Sequence, residues 1–250
     1  PRLPSPAVAA LGAAALLVLW SAAARAIGSE IVLPSPLRVA RAVAALYPTR
    51  LFREALSATF LRGMLAFGLS MLMGTAVGLA SGLSRTFRTA ISPALTVIRA
   101  TPVLAVILLA YFWFSPETVP VFAAVLMAFP VVVGDIRQGV VSADSGLLEM
   151  ARLFRLRGRD RIWSIYVPAV IPHLLSAAHG ALGLSWKVVV AGEVLSQPAR
   201  ALGTGMQGAR AIWETADVFA WVLAGILLCA LSDAVFKVSR KKENDAVRPA

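Results

Sequence analysis

Long apolar runs alternate with short polar segments along almost the whole chain. A bilayer core about 30 Å thick is crossed by roughly 20 helical residues, and by this measure the pattern predicts six membrane spans. They are expected at Ala7–Ala26, Ala55–Gly82, Ile91–Phe114, Thr118–Val141, Ala169–Gly192 and Asp217–Val238. The predicted fold class is therefore all-α, a polytopic membrane protein with about six transmembrane helices.

The first apolar run has a second interpretation. Arg2 precedes it and the small-residue run Ser21–Ala26 ends it, which is also the pattern of a cleaved signal peptide. The other five spans would keep the protein in the membrane in either case.

Small residues recur every fourth position in the second span, at Ser70, Gly74, Gly78 and Gly82. This spacing places them on one face of a helix. Small residues on one face allow two membrane helices to approach closely, so the stripe predicts a helix contact rather than a chemical function.

Composition supports a membrane protein and excludes several other classes. Hydrophobic residues make up 58% of the chain and charged residues 15%, with a net charge of +11. The aromatic residues lie mainly in the apolar runs, so no nucleic acid partner is predicted, and anionic lipid is expected to attract the basic segments. The single cysteine, Cys229, excludes an intrachain disulfide and a cysteine metal cluster.

Basic residues predict the orientation. They concentrate after spans two and four and in the tail, at Arg85, Arg88, Arg152, Arg155, Arg157, Arg159, Arg161, Lys237, Arg240, Lys241 and Lys242. Six spans place all three segments on one side, which the positive-inside rule assigns to the cytoplasm. The segment with Arg38, Arg41, Arg50 and Arg53 conflicts with this rule, and we interpret it as an amphipathic helix at the interface.

The predicted organisation has three parts. Residues 1–54 form an N-terminal helix and connector, residues 55–240 form the core with a cytoplasmic loop at 144–168, and residues 241–250 form a cytoplasmic tail.

The loop between spans four and five predicts a short amphipathic helix. Leu147, Leu148, Ala151 and Phe154 recur at helical spacing with charged residues on the other face. From the pattern alone, this helix either lies on the membrane surface or docks a cytoplasmic partner.

The same loop resembles the "EAA" loop of bacterial ABC importer permeases. Four residues fall at the spacing of that motif, namely Glu149, Ala151, Ile165 and Pro168. Arg155 stands where the motif has a glycine that allows a turn between two short helices. We therefore predict that the turn sits at Gly158 instead.

The resemblance covers roughly residues 30–240 and is strongest to the nitrate/sulfonate/taurine branch of these type I permeases. Its motifs occur in the order expected for that branch, as Leu33-Pro-Ser-Pro36, Arg99-Ala-Thr-Pro102, Leu182-Gly-Leu-Ser-Trp186 and Ala191-Gly-Glu193.

The resemblance implies a multi-pass permease of the bacterial inner membrane that pairs with a second copy. Two cytoplasmic ABC ATPase subunits would bind it, and a periplasmic or lipid-anchored protein would deliver substrate. Glu149, Ala151 and Phe154 would contact the ATPase. The chain has no phosphate-binding loop of its own, so it is not expected to be an enzyme, to hold a cofactor or to bind metal, and ATP with Mg²⁺ would bind to the ATPase.

Ionisable residues inside spans are costly and are candidates for the translocation pathway. Ser176, His179, Gly183 and Lys187 share one stripe of the fifth span, which could receive an anion. The alternative is an interior histidine with satisfied hydrogen bonds and a lysine that reaches the interface. Further candidates are Glu193, Asp135 and Arg99, each of which needs a partner from another helix or from solvent.

Three functions fit these observations: an importer permease, an ion-coupled secondary transporter and a membrane scaffold. Lys187 and Arg99 favour a small anion such as a sulfonate, taurine or nitrate. The same architecture is also compatible with a vitamin, a thiamine precursor or an aromatic acid.

Overall fold

The structure is a computed structural model that describes the backbone of residues 6–246 and the side chains of residue 8, residues 10–232 and residue 234. All regular elements in this part of the chain are helical. They are α1 (Pro6–Ile27), α2 (Pro36–Leu46), α3 (Arg50–Leu83), α4 (Arg85–Ala100), α5 (Val103–Ala110), α6 (Val119–Val141), α7 (Ser145–Leu153), α8 (Gly158–Arg161), a π-helical turn (Ile162–Tyr166), α9 (Val167–Ser196), α10 (Leu202–Ala211) and α11 (Thr215–Ala246). The predicted all-α class is confirmed, and residues 247–250 of the predicted tail lie outside the described range.

Helix α6 is the centre of the bundle and packs against α3 along the predicted small-residue stripe. A Cβ atom added to Gly74 would lie 2.6 Å from Val132 Cβ, and one added to Gly78 would lie 2.7 Å from Ile136 Cβ. Gly82 meets Val140 in the same way, one turn further on. The stripe therefore forms a helix contact, as predicted. The residue numbers of the contacting pairs increase together along α3 and α6, so the two helices run parallel.

Helix α9 runs antiparallel to α6 on its other side. Gly139 near the end of α6 contacts His173 near the start of α9, and Gly192 near the end of α9 contacts Pro120. Helix α11 then returns beside α9, where Trp186 Nε1 donates a hydrogen bond to Ser232 Oγ at 2.8 Å.

The third predicted span is wrong as a single helix. Two helices, α4 and α5, meet at 96°. Thr101 is extended at φ −75° and ψ 125°, because a residue before proline is driven out of the helical region and Pro102 has no N–H for a helical hydrogen bond.

The bent pair nevertheless completes one crossing. Five described helices are long and apolar enough to span a membrane, and α4 with α5 would be a sixth span. Since α3 and α6 are parallel and consecutive long spans, the chain has to return across the membrane between them. The three basic segments therefore lie at one end of the bundle, the cytoplasmic end, and α9 finishes at the other, the outer end.

Other boundaries differ from the predictions. Helix α3 begins at Arg50, so a division after residue 54 falls inside it. The fifth span is continuous from Gly158 to Ser196 through the π-helical turn, rather than beginning at Ala169. The π-helical turn ends at Tyr166, and Pro168 lies in the first turn of α9, where a proline is compatible with a helix.

The basic residues of the first connector are partly neutralised at the outer end. Arg38 lies on the amphipathic helix α2 and forms ion pairs with Glu30 and with Glu214. Arg50 pairs with Glu54 at 2.6 Å. Two of the four arginines in this connector therefore have acidic partners, although the positive-inside rule counts arginines whether or not they are paired, so the connector stays an exception to it.

Candidate functional site

A short exposed helix, α7, forms the cytoplasmic loop between α6 and α9. Asp144 caps it, since its carboxylate accepts a hydrogen bond from Gly146 N at 2.7 Å. Leu153 is 82% exposed and Phe154 74% exposed, and Glu149 is also exposed. Apolar side chains this exposed at the cytoplasmic end offer contact surface to another molecule.

The turn after α7 sits at Arg155, not at Gly158 as predicted. Arg155 has φ +50°, and the chain forms a Schellman motif in which Leu156 N donates to Ala151 O at 2.9 Å and Arg155 N to Arg152 O at 3.1 Å. The position where the family motif has glycine thus keeps the left-handed conformation with a different residue. Gly158 instead begins α8.

Two of the predicted coupling residues face the interior of the chain. Ala151 is 3% exposed and Ile165 is 8% exposed. Ala151 therefore cannot present its side chain to a partner in this conformation, in contrast to the sequence-based expectation. Pro168 is exposed near the start of α9.

The bend between α4 and α5 opens a cavity of about 450 Å³ toward α6 and α9. Two predicted pathway residues meet there, Arg99 from α4 and Lys187 from α9. Arg99 Nη2 donates a hydrogen bond to Pro130 O, near the middle of α6, at 2.6 Å. The other lining residues are apolar: Ile98, Val103, Met127, Pro130, Val131, Leu184, Val188 and Ala191.

The cavity is electropositive. Its lining holds two cationic side chains and no carboxylate among the described residues. Lys187 makes no hydrogen bond or ion pair with any side chain or backbone group that the structure describes. A lysine or arginine at the centre of a membrane helix costs about 2.5–3.5 kcal/mol on insertion scales. Arg99 has the carbonyl of Pro130 as a partner, whereas Lys187 needs water or an anion to stabilise its charge.

The remaining members of the fifth-span stripe do not line this cavity. Ser176 and His179 lie on an exposed face of α9, and Gly183 has open space beside it. Asp135 on α6 also lies outside the cavity and forms no ion pair with a described residue. The structure therefore brings together Arg99 and Lys187, and leaves Ser176, His179, Gly183 and Asp135 apart from them.

Glu193 belongs to a separate buried network near the outer end. Its carboxylate is 0% exposed and pairs at 2.9 Å with Arg62, which is 12% exposed. Thr59 Oγ1 lies 2.9 Å and 3.0 Å from the two carboxylate oxygens, and Gly203 N donates at 3.3 Å. Arg62 also pairs with Glu117 of the outer loop. The arrangement holds α3, α9 and the outer loops together.

Sequence reasoning missed Arg62 as the partner of Glu193. The signal was present, since an arginine within the second span needs a partner. A separation of 131 residues hid which partner it was.

Comparison with known proteins adds three findings. Residues 70–244 match the family model described as binding-protein-dependent transport system inner membrane component. The taurine transport system permease protein of Escherichia coli K12 is 31% identical over 86% of this chain and 79% of its own length. A putative aliphatic sulfonates transport permease protein of Bacillus subtilis is 25% identical over 92% and 83%.

A solved structure shares the fold. The crystal structure of an amino acid ABC transporter with histidines superimposes with a TM-score of 0.65 at 21% identity, covering 82% of this chain and 97% of that one.

Proposed function

The chain belongs to the family of inner membrane components of binding-protein-dependent transport systems, and from that premise we propose that it carries a small oxyanion through the cavity lined by Arg99 and Lys187. As a member of this family it is a membrane-spanning permease subunit of an ABC importer. The substrate class we propose is an aliphatic sulfonate such as taurine.

The observation that carries this proposal is the pair of cations in an otherwise apolar cavity. An incoming oxyanion would accept charge-assisted hydrogen bonds from both side chains, while the apolar lining would suit a short alkyl group. Relatives named for taurine and sulfonate transport support the same substrate class. A hydrogen bond to a charged group contributes about 1.5–3 kcal/mol, so each cation should matter by roughly ten- to a hundredfold.

The test is ATP-dependent uptake of labelled ethanesulfonate by proteoliposomes that contain this chain, its ATPase and an excess of loaded binding protein. Lys187→Gln and Arg99→Gln should each slow uptake at least tenfold, and Lys187→Arg should retain most of it. Arg85→Gln is the control, because Arg85 lies on α4 outside the cavity. Unchanged uptake in a correctly assembled Lys187→Gln/Arg99→Gln double variant would refute the proposal.

We also propose that α7 docks the ATPase, which would hydrolyse ATP with Mg²⁺ on a separate chain. The contact surface would be Glu149 with the exposed apolar side chains of Leu153 and Phe154. Arg155 and the Schellman turn would set the angle at which α7 meets its partner.

Co-purification with its candidate ABC ATPase tests the docking. Phe154→Asp should abolish the complex, whereas Phe112→Asp should not, because Phe112 is equally large, 80% exposed and at the outer end. Binding that survives Phe154→Asp, or is lost equally in the control, would contradict the docking role.

Assembly follows from the same proposal. We expect two copies of this chain with two ATPase subunits, and a substrate-binding protein at the outer end. The stoichiometry is measurable as the mass of the purified complex in nanodiscs, and a single copy of this chain per complex would contradict it.

A further inference from the structure

A second cleft with basic side chains lies between the cavity and the cytoplasmic end. It has a volume of about 120 Å³ and is formed by α4, α6 and the end of α3. Arg88, Arg99 and Arg137 line it together with the small polar residues Ser81, Ser92 and Thr96. Arg99 therefore lines both spaces.

Helix α4 is built for this arrangement. Arg88, Ser92, Thr96 and Arg99 recur at intervals of three or four residues, so they form one polar stripe that faces the cleft. The polar groups are continuous from the cytoplasmic start of α4 to the bend at its end.

The backbone positions of the three arginines follow one another toward the cytoplasm. Arg137 lies seven residues beyond Pro130 on α6, about 10 Å along the helix from the carbonyl that binds Arg99. Arg88 lies eleven residues before Arg99 on α4, about 16 Å away along that helix. An anion released from Arg99 would meet further cations on its way to the cytoplasmic end.

Most donor groups of these arginines remain available. Each guanidinium has five N–H donors. Arg88 uses Nε on Ser81 O at 2.9 Å and Nη2 on Gly82 O at 3.3 Å, and Arg99 uses Nη2 on Pro130 O. Arg137 makes no hydrogen bond or ion pair with a described residue, and no described carboxylate lines the cleft.

Gly134 lets Arg99 occupy the boundary between the two spaces. A Cβ atom at this position would lie 2.9 Å from Arg99 Nη2. The guanidinium group therefore rests directly on the backbone of α6, where it can face both the cavity and the cleft.

We propose that the cleft of Arg88, Arg99 and Arg137 is a second oxyanion site, through which the transported anion leaves the cavity toward the cytoplasm. The inference rests on the proposed function, since it takes the same anion as its ligand. The cleft is small, about 120 Å³, which suits a compact group such as a sulfonate or nitrate. Several weak sites in series permit both entry and release.

Cysteine modification tests this site in the complex with the ATPase, reconstituted in phosphatidylcholine vesicles. Cys229→Ser removes the native thiol, and Thr96→Cys places a reporter in the cleft. Thr89→Cys is the matched control, because Thr89 lies on the same helix outside the cleft. The probes are two methanethiosulfonates, one with a sulfonate group and one with a trimethylammonium group.

A cleft lined by one sign of charge raises the local counter-ion concentration by 10-fold or more. Relative to Thr89→Cys, Thr96→Cys should therefore prefer the sulfonate reagent roughly tenfold. Arg137→Gln should weaken this preference severalfold, since Arg88 and Arg99 remain in the cleft, and Arg137→Lys should keep it. Ethanesulfonate should slow the reaction at Thr96→Cys and leave Thr89→Cys unchanged.

Three results would overturn the second site: equal preference at the two cysteines, a preference that is unchanged in Arg137→Gln, or no protection by ethanesulfonate. Protection by phosphatidylglycerol in the vesicles, but not by ethanesulfonate, would assign the cleft to a lipid headgroup instead. Uptake by the same vesicles separates the two proposals. If uptake depends on Lys187 but ethanesulfonate does not protect Thr96→Cys, only the second site is refuted. If uptake does not depend on Lys187, the proposed function is refuted.

Discussion

The buried pair of Arg62 and Glu193 gives a sharp prediction about stability. Arg62→Gln leaves a carboxylate that is 0% exposed without its counter-ion. Removing one partner of a buried pair costs about 3–5 kcal/mol. Thr59 and Gly203 still donate to Glu193, so we expect a loss near 3 kcal/mol in the free energy of unfolding.

The reverse substitution should cost less. In Glu193→Gln the neutral amide oxygen still accepts from Thr59, and Arg62 keeps its partner Glu117. We therefore expect a loss of about 1.5–2 kcal/mol, the lower part of the range for a single hydrogen bond to a charged group. The double variant should lose roughly 2 kcal/mol less stability than the two single losses added together. An interaction energy of this size is within the range for residues in contact.

The assay uses the single native thiol. Cys229 is partly buried, so its reaction with a fluorescent maleimide along an SDS titration reports unfolding. Arg53→Gln is the control, because Arg53 is exposed on the same helix, and it should change stability by less than about 0.5 kcal/mol. The reasoning is refuted if Glu193→Gln costs more than Arg62→Gln, or if the two losses are additive.

Three further predictions concern other parts of the fold. Arg155→Gly should stabilise the end of α7 by about 1 kcal/mol, because glycine adopts φ +50° without the cost to an L side chain; slower hydrogen exchange at Leu156 N would agree, and faster exchange would contradict the Schellman turn. Gly78→Ala should destabilise the α3–α6 contact by about 1–3 kcal/mol, whereas Gly68→Ala, with open space around it, should be neutral or stabilising in the same SDS titration; equal effects would mean that the stripe is not an interface. Glu117→Gln should cost at most about 1 kcal/mol of stability, since Glu117 is half exposed. A loss as large as that of Arg62→Gln would show that Glu117, and not Glu193, is the partner through which Arg62 stabilises the fold.

The sequence predicted the features that depend on local pattern. Apolar length located the spans, and the four-residue spacing of Gly74, Gly78 and Gly82 predicted a helix contact on that face of α3, without showing that α6 is the partner. The amphipathic helix after span four was also correct, as α7. Each of these properties can be recognised within about 20 residues of sequence.

Features set by tertiary contacts or by backbone conformation were missed. The Thr101-Pro102 dipeptide was present in the sequence, but its apolar flanks suggested one continuous span. The turn after α7 is predicted at Gly158, because arginine rarely adopts a positive φ. The structure has the turn at Arg155, where backbone hydrogen bonds from Leu156 and Arg155 to α7 stabilise it. The partner of Glu193 could not be found locally, since Arg62 comes from a helix far away in sequence.

The candidate site was predicted in part. The sequence predicts Lys187 as the last member of a polar stripe and Arg99 as an ionisable residue within a span, and the structure places both in one cavity. The polar stripe of α4 was overlooked, although Arg88, Ser92 and Thr96 already have helical spacing. The predicted span Ile91–Phe114 leaves Arg88 outside the helix that contains Ser92, Thr96 and Arg99, so the four residues do not appear as one stripe.

The most direct test of the account is the energy source of transport. Proteoliposomes with this chain, its ATPase and the binding protein should accumulate ethanesulfonate only when ATP is supplied to the ATPase, and Phe154→Asp should abolish accumulation. Uptake by this chain alone, driven by a proton gradient without any ATPase, would contradict the account and establish a secondary transporter.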